Sequence, residues 1–153
     1  MISKNISYKE ATRSETAKRR GIENDPNPDQ LENMKHVAEN VFQPLREHFG
    51  CPIYISSFFR SEELNRAIGG SSSSTHMKGE AIDLDADVYG RISNGVIFNY
   101  IKENLEFDQL IWEFGDGKNP DWVHVSLSKN NNRNQILIAK RVHGKTVYEL
   151  YNE

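Results

Sequence analysis

The chain has little of several things, and each shortage excludes something. Among its 153 residues there is one cysteine, Cys51, so no intrachain disulfide framework exists and a reducing cytosol suits it. No apolar run approaches the roughly 18 residues that a membrane span needs. Basic charge is not in excess: Lys+Arg 19 against Asp+Glu 22 leaves a net charge of −3. A nucleic-acid binder relying on a broad basic face is thereby excluded. The opening segment, Met1 to Ser7, lacks the apolar centre of a signal peptide, so synthesis in the cytosol is expected. No repeat is visible. Gly69-Gly70 and the serines that follow lack the lysine of a phosphate-binding loop. The length fits one domain spanning 1–153, with enough surface to bury a core unaided.

What is present reads as helices early and strands late. Ser7 with Glu10 is a capping box, predicting a short helix from Tyr8. Asn27-Pro28 opens a longer helix with apolar residues at Leu31, Met34, Val37, Ala38, Val41, Phe42 and Leu45, stopping at Gly50 and bent by Pro44. An N-terminal helical part of about 7–50 is therefore expected, followed by a second part of about 52–127. In the latter, 52–56, 81–84, 109–114 and 122–127 read as strands, with helices over 61–68 and 92–105. The segment 135–139 reads as a further strand or a short helix. The order lacks strict βαβ alternation, which predicts an α+β fold with a largely antiparallel sheet.

The densest polar cluster is Ser74-Thr75-His76-Met77-Lys78-Gly79-Glu80-Ala81-Ile82-Asp83, followed by Asp121-Trp122-Val123-His124. His76, Asp83 and His124 offer two imidazoles and a carboxylate, the donor types of a catalytic zinc site with an open position. Gly79 lets the chain turn between His76 and Asp83. On a strand, Trp122, His124 and Ser126 share one face while Val123, Val125 and Leu127 enter the core. From spacing alone, a His–Asp pair is more often a surface hydrogen bond than a metal site.

Ser74-x-His76-x-x-Gly79-x-Ala81-x-Asp83 with Asp121-x-x-His124 resembles the zinc D-Ala-D-Ala carboxypeptidase family, which includes phage endolysins. The run Ser57-Phe58-Phe59-Arg60-Ser61, with Leu64-Asn65 and Ala67 to Gly70, resembles the family's approach to its first histidine. Asn24-x-Pro26 and Pro44-Leu45-Arg46 are similar to small phage-type members. Phe59 departs from the pattern, standing where tyrosine is common. The resemblance implies a small α+β domain of the hedgehog/DD-peptidase kind, whose antiparallel sheet carries zinc. It implies His76, Asp83 and His124 as ligands, Asp121 as the catalytic carboxylate and Arg60 as the substrate-binding arginine. The implied function is hydrolysis of peptidoglycan stem-peptide bonds, as a D-Ala-D-Ala carboxypeptidase or an endolysin-type endopeptidase, in a phage or prophage setting; a monomer is expected. Small size and the lack of an export signal favour the endopeptidase, which would reach the wall by another route. The alternative is a catalytically silent zinc-binding module of the same fold, for which a lost Asp121 or Arg60 would be the signature; both are present.

Other residues compete for roles. Glu113 is a rival general base, or a hydrogen-bond partner of a histidine ligand. Asp83-Leu84-Asp85-Ala86-Asp87 resembles a calcium loop, but Val88 and Asn94 stand where an EF-hand needs Gly and Glu. Ser74 and Trp122 are expected to line the cleft. Cys51 is expected to be a small buried hydrophobe, His48 to suit the negative end of its helix, and His143 to be exposed.

Overall fold

A computed structural model describes residues 1–152 and has an α+β architecture. Two short helices come first, α1 (Tyr8–Thr12) and α2 (Glu15–Arg20), capped by the side chains of Ser7 and Ser14. Then α3 (Pro28–Val37) begins with a capping box between Asn27 and Gln30. It runs through a π turn (Ala38–Phe42) into α4 (Gln43–Phe49). The π turn is where Pro44 shows its effect. Proline cannot donate a backbone hydrogen bond and crowds the carbonyl four residues back. The preceding turn widens instead, with the Gln43 N–H bonding to the Ala38 carbonyl. The distortion expected from Pro44 thus takes the form of the π turn that precedes it. Gly50 closes α4 in the left-handed conformation at φ 63°.

The strands are β1 (Tyr54–Ser57), β2 (Ala81–Asp85), β3 (Gln109–Glu113), β4 (Trp122–Ser126), β5 (Gln135–Val142) and β6 (Lys145–Leu150). They form one sheet in the order β1-β2-β4-β3-β5-β6. Every pairing is antiparallel except β3 with β5. Helices α5 (Glu62–Ala67) and α6 (Asn94–Asn104) fall between strands. The segment left open between strand and helix is β5. It continues into β6 through a tight turn in which His143 and Gly144 both have positive φ, the geometry that suits a two-residue hairpin.

One sheet face makes the core. Ile82 and Leu84, Val123 and Val125, and Leu110 and Trp112 pack there against Met34, Val37, Val41 and Leu45 and against Ile97, Phe98 and Ile101. By the two-residue alternation of strands, Asp83, His124, Glu113 and Ala139 point to the other face. Ile111 and Ala139 are buried yet stand outside the core cluster, in keeping with that second face. Cys51 is buried and its thiol is free. No helix among the described residues is long and apolar enough to cross a membrane.

Candidate metal centre

Three residues converge on the second face. Asp83 and His124 are cross-strand partners in β2 and β4, and His76 arrives from a single 3₁₀ turn, Thr75–Lys78. Ser74 caps that turn by accepting a hydrogen bond from the His76 N–H at 3.3 Å. From α3, Gln30 and Asn33 donate to the carbonyls of Met77 and Lys78 at 3.0 and 2.9 Å. Gly79 then reverses the chain at φ 75°, and a Cβ there would come within 2.5 Å of the Gln30 carbonyl oxygen. Glycine is thus required both by conformation and by space.

The two oxygens of Asp83 each face an imidazole. Oδ1 lies 2.9 Å from His124 Nδ1 and Oδ2 lies 3.2 Å from His76 Nε2. Ligand atoms from the three residues all lie within 4.8 Å of one another. His76 Nδ1 sits 2.7 Å from the Phe58 carbonyl, so it carries the proton and donates it. The Nε2 of a neutral ring is then a bare lone pair. It is buried and has no hydrogen-bond partner, although a carboxylate oxygen is close by. Two lone-pair bearers at that distance repel unless a proton or a cation lies between them. Burial works against the proton, lowering the His76 pKa against the pull of Asp83. For Asp83, burial alone would raise the pKa. The pull that His76 exerts when protonated and the hydrogen bond with His124 outweigh it and hold the carboxyl well below the usual range. A divalent cation fits this place, and the donor set is that of catalytic zinc.

Around the triad, Arg60 reaches Asp83 Oδ2 at 3.5 Å with Nη2. Its Nε donates to Ser57 at 3.2 Å and its Nη1 to Asn65 at 3.4 Å. Burial lowers the Arg60 pKa, opposed by Asp83 and Glu113. Glu113 is buried on β3, two residues beyond Ile111, the direct partner of His124. Burial raises its pKa to about 7, with Asp83 adding to the rise and His124 and Arg60 opposing it. Asp121 begins the β4 segment. Its side chain is exposed, its N–H bonds the Glu113 carbonyl at 2.9 Å, and its own carbonyl accepts from Asn94 at 3.0 Å. Among the described residues, no hydrogen bond or ion pair links the Asp121 carboxylate to the triad. Trp122 lies directly across from Glu113 and its ring packs on Phe114 at 5.4 Å.

Some of the supporting parts left little trace in the sequence. The Phe58 carbonyl is main chain and has no residue signature. Asn94, fully buried, carries the β4 entrance: its amide nitrogen is 3.0 to 3.2 Å from Asp85, Asp87 and the carbonyls of Pro120 and Asp121. Asp85 and Asp87 therefore serve that loop. Their failure to match an EF-hand was the available clue.

A family model described as Peptidase M15 matches residues 4–126. The chain belongs to the peptidase M15 family. As an M15 peptidase it is a zinc metallopeptidase, of a family directed at peptidoglycan, and its triad supplies donors suited to the metal. The match to the M15 peptidases ends with the last residue of β4, so β5 and β6 lie beyond it. No curated protein matches the chain.

Proposed function

We propose that the protein is an endopeptidase of peptidoglycan stem peptides, of the endolysin type, with Glu113 as its general base. His76, Asp83 and His124 would hold the zinc. Bound there, zinc would supply a Lewis acid for the peptide carbonyl and would bring the pKa of water at the site to about 7. The observation that carries the reading is the orphaned Nε2 of His76, facing Asp83 with a buried carboxyl beside them.

The chain's own groups have separable tasks. Glu113, with a pKa of about 7, is poised to take a proton from a nucleophilic water and return it to the leaving amine. Asp121 remains the assignment that the family pattern suggests for this step. Burial beside the triad favours Glu113, since Asp121 is exposed and no hydrogen bond or ion pair among the described residues links its carboxylate to the triad. Arg60 holds the Asp83 carboxylate and keeps its orientation through Ser57 and Asn65. A carboxypeptidase needs a cation committed to the substrate's terminal carboxylate. Arg60 is instead directed at a carboxylate of the protein itself, which supports endopeptidase action.

Digestion of purified peptidoglycan with mass analysis of the fragments tests the reading. A new internal amine is expected. Released D-Ala would make the enzyme a carboxypeptidase, and unchanged peptides would leave a silent binding module.

A further inference from the structure

The β5–β6 hairpin lies outside the family match but is continuous with the sheet that carries the triad. Its register is informative. Glu113 on β3 pairs with Ala139 on β5, and Ala139 pairs with Tyr148 on β6. Directly paired residues project to the same face. Glu113, Ala139 and Tyr148 therefore form a row on the side that holds His124 and Asp83. The middle residue is an alanine with no exposed surface, although β6 beside it is exposed throughout. A methyl group between two long side chains leaves room for the tyrosine ring to lean toward Glu113.

Three further observations concern the Tyr148 phenol. The residue is about half exposed, at 55%. Its hydroxyl has no hydrogen-bond partner among the described residues. Its pKa is raised by burial, by Glu113 and by Asp83, which places the phenol within the field of both carboxylates. The group stays protonated at neutral pH and can only act as a donor to an incoming anion. A neighbouring wall is already built: the Arg141 guanidinium lies 5.1 Å from the Phe114 ring, which packs on Trp122.

Amide hydrolysis places negative charge on the carbonyl oxygen as the nucleophile adds, and a donor aimed there stabilises the transition state. Arg60 directs its Nε and both terminal nitrogens at Ser57, Asn65 and Asp83. Tyr148, on the open side, has no such engagement. We propose that Tyr148 touches the substrate, donating its hydroxyl hydrogen to the oxygen of the cleaved carbonyl, and that the β5–β6 hairpin is one wall of the substrate cleft. This rests on the hydrolytic reading of the triad but not on which peptide is cut.

The test compares native protein and Tyr148→Phe, both loaded with zinc, with methylphosphonate as a tetrahedral anion and calorimetry as the readout. Phenylalanine keeps the ring and removes only the hydroxyl. Methylphosphonate should bind Tyr148→Phe about ten- to a hundredfold more weakly, with zinc content and melting temperature unchanged. Stem-peptide turnover should fall by a similar factor in kcat with KM within about twofold. Val147→Thr, on the opposite face of β6, should bind the anion as the native protein does. Equal affinity for methylphosphonate in native and Tyr148→Phe proteins overturns the proposal, as does a native protein that binds no methylphosphonate. If the phosphonate difference appears but native protein leaves stem peptides intact, the tyrosine assignment stands and the peptidoglycan reading falls.

Discussion

Glu113 carries the sharpest consequence at the scale of single residues. Its carboxyl has a pKa of about 7 in the folded chain against 4.5 for the free group, so folding binds its proton more tightly. Stability from this source is fully present below pH 4.5 and is lost as pH rises through 7. Glu113→Gln should therefore melt higher than native, metal-free protein at pH 8, by up to a few kcal/mol, and nearly the same at pH 4. Thermal melts of both proteins at the two pH values measure this. In the zinc-loaded enzyme the same change should cut turnover by about 10²–10⁴. Asp121→Asn, at an exposed position, should keep turnover within about tenfold and keep its zinc. If Asp121→Asn is instead the inactive variant, the two carboxylates exchange roles. The triad's donor types were legible in the sequence, but spacing alone left a surface His–Asp hydrogen bond open, and the resemblance of the surrounding motifs singled the three residues out. No spacing chooses between Asp121, the base that the resemblance implies, and Glu113, because the proposed preference for Glu113 rests on burial. Burial depends on how β3 and β4 pack, and no spacing carries that.

Elements that hold the triad are as exacting as the triad itself. Gly79 combines a left-handed backbone with contact against α3. Gly79→Ala should cost about 2 kcal/mol or more and weaken zinc binding at least tenfold, since both His76 and Asp83 hang from this turn. A zinc titration alongside a thermal melt separates the two effects. Asn94→Ala removes the amide shared by Asp85, Asp87 and the start of β4, and should cost about 2–3 kcal/mol. The long helix, the strand alternation of β2 and β4, and the N-caps at Ser7 and Asn27 were readable from pattern alone, although the reciprocal capping box forms at Asn27 and Gln30 and not at Ser7 and Glu10. Two elements were not. α2 is six residues of largely polar sequence, too short for a helical period to show. β6 is exposed along its whole length, so no apolar alternation marks it. Its only local cue was the His143-Gly144 turn, which the aromatic and β-branched run at Thr146 to Tyr148 follows. The parallel pairing of β5 on β3 was equally hidden, since it follows from where the chain leaves β4.

For the molecule as a whole, zinc should act as a stabilising ligand. A metal that binds only the folded chain adds about 4 kcal/mol when present at a thousandfold its dissociation constant. Chelation should lower the melting temperature by several degrees, and His76→Ala should abolish the difference between chelated and zinc-loaded samples. A melting temperature indifferent to chelator would mean that the triad holds no metal. Asp83 and His124, although hydrogen-bonded partners, stand 41 residues apart in the chain. Their meeting requires β2 and β4 to pair after α6 and β3 have been traversed, and loop closure over such separations is what slows folding. The binding site is therefore complete only once β2 and β4 have paired across those 41 residues. Metal capture during refolding should then run at the speed of the chain and not of diffusion. A zinc-sensitive dye followed in stopped flow should report a capture rate independent of zinc concentration, tracking the burial of Trp112.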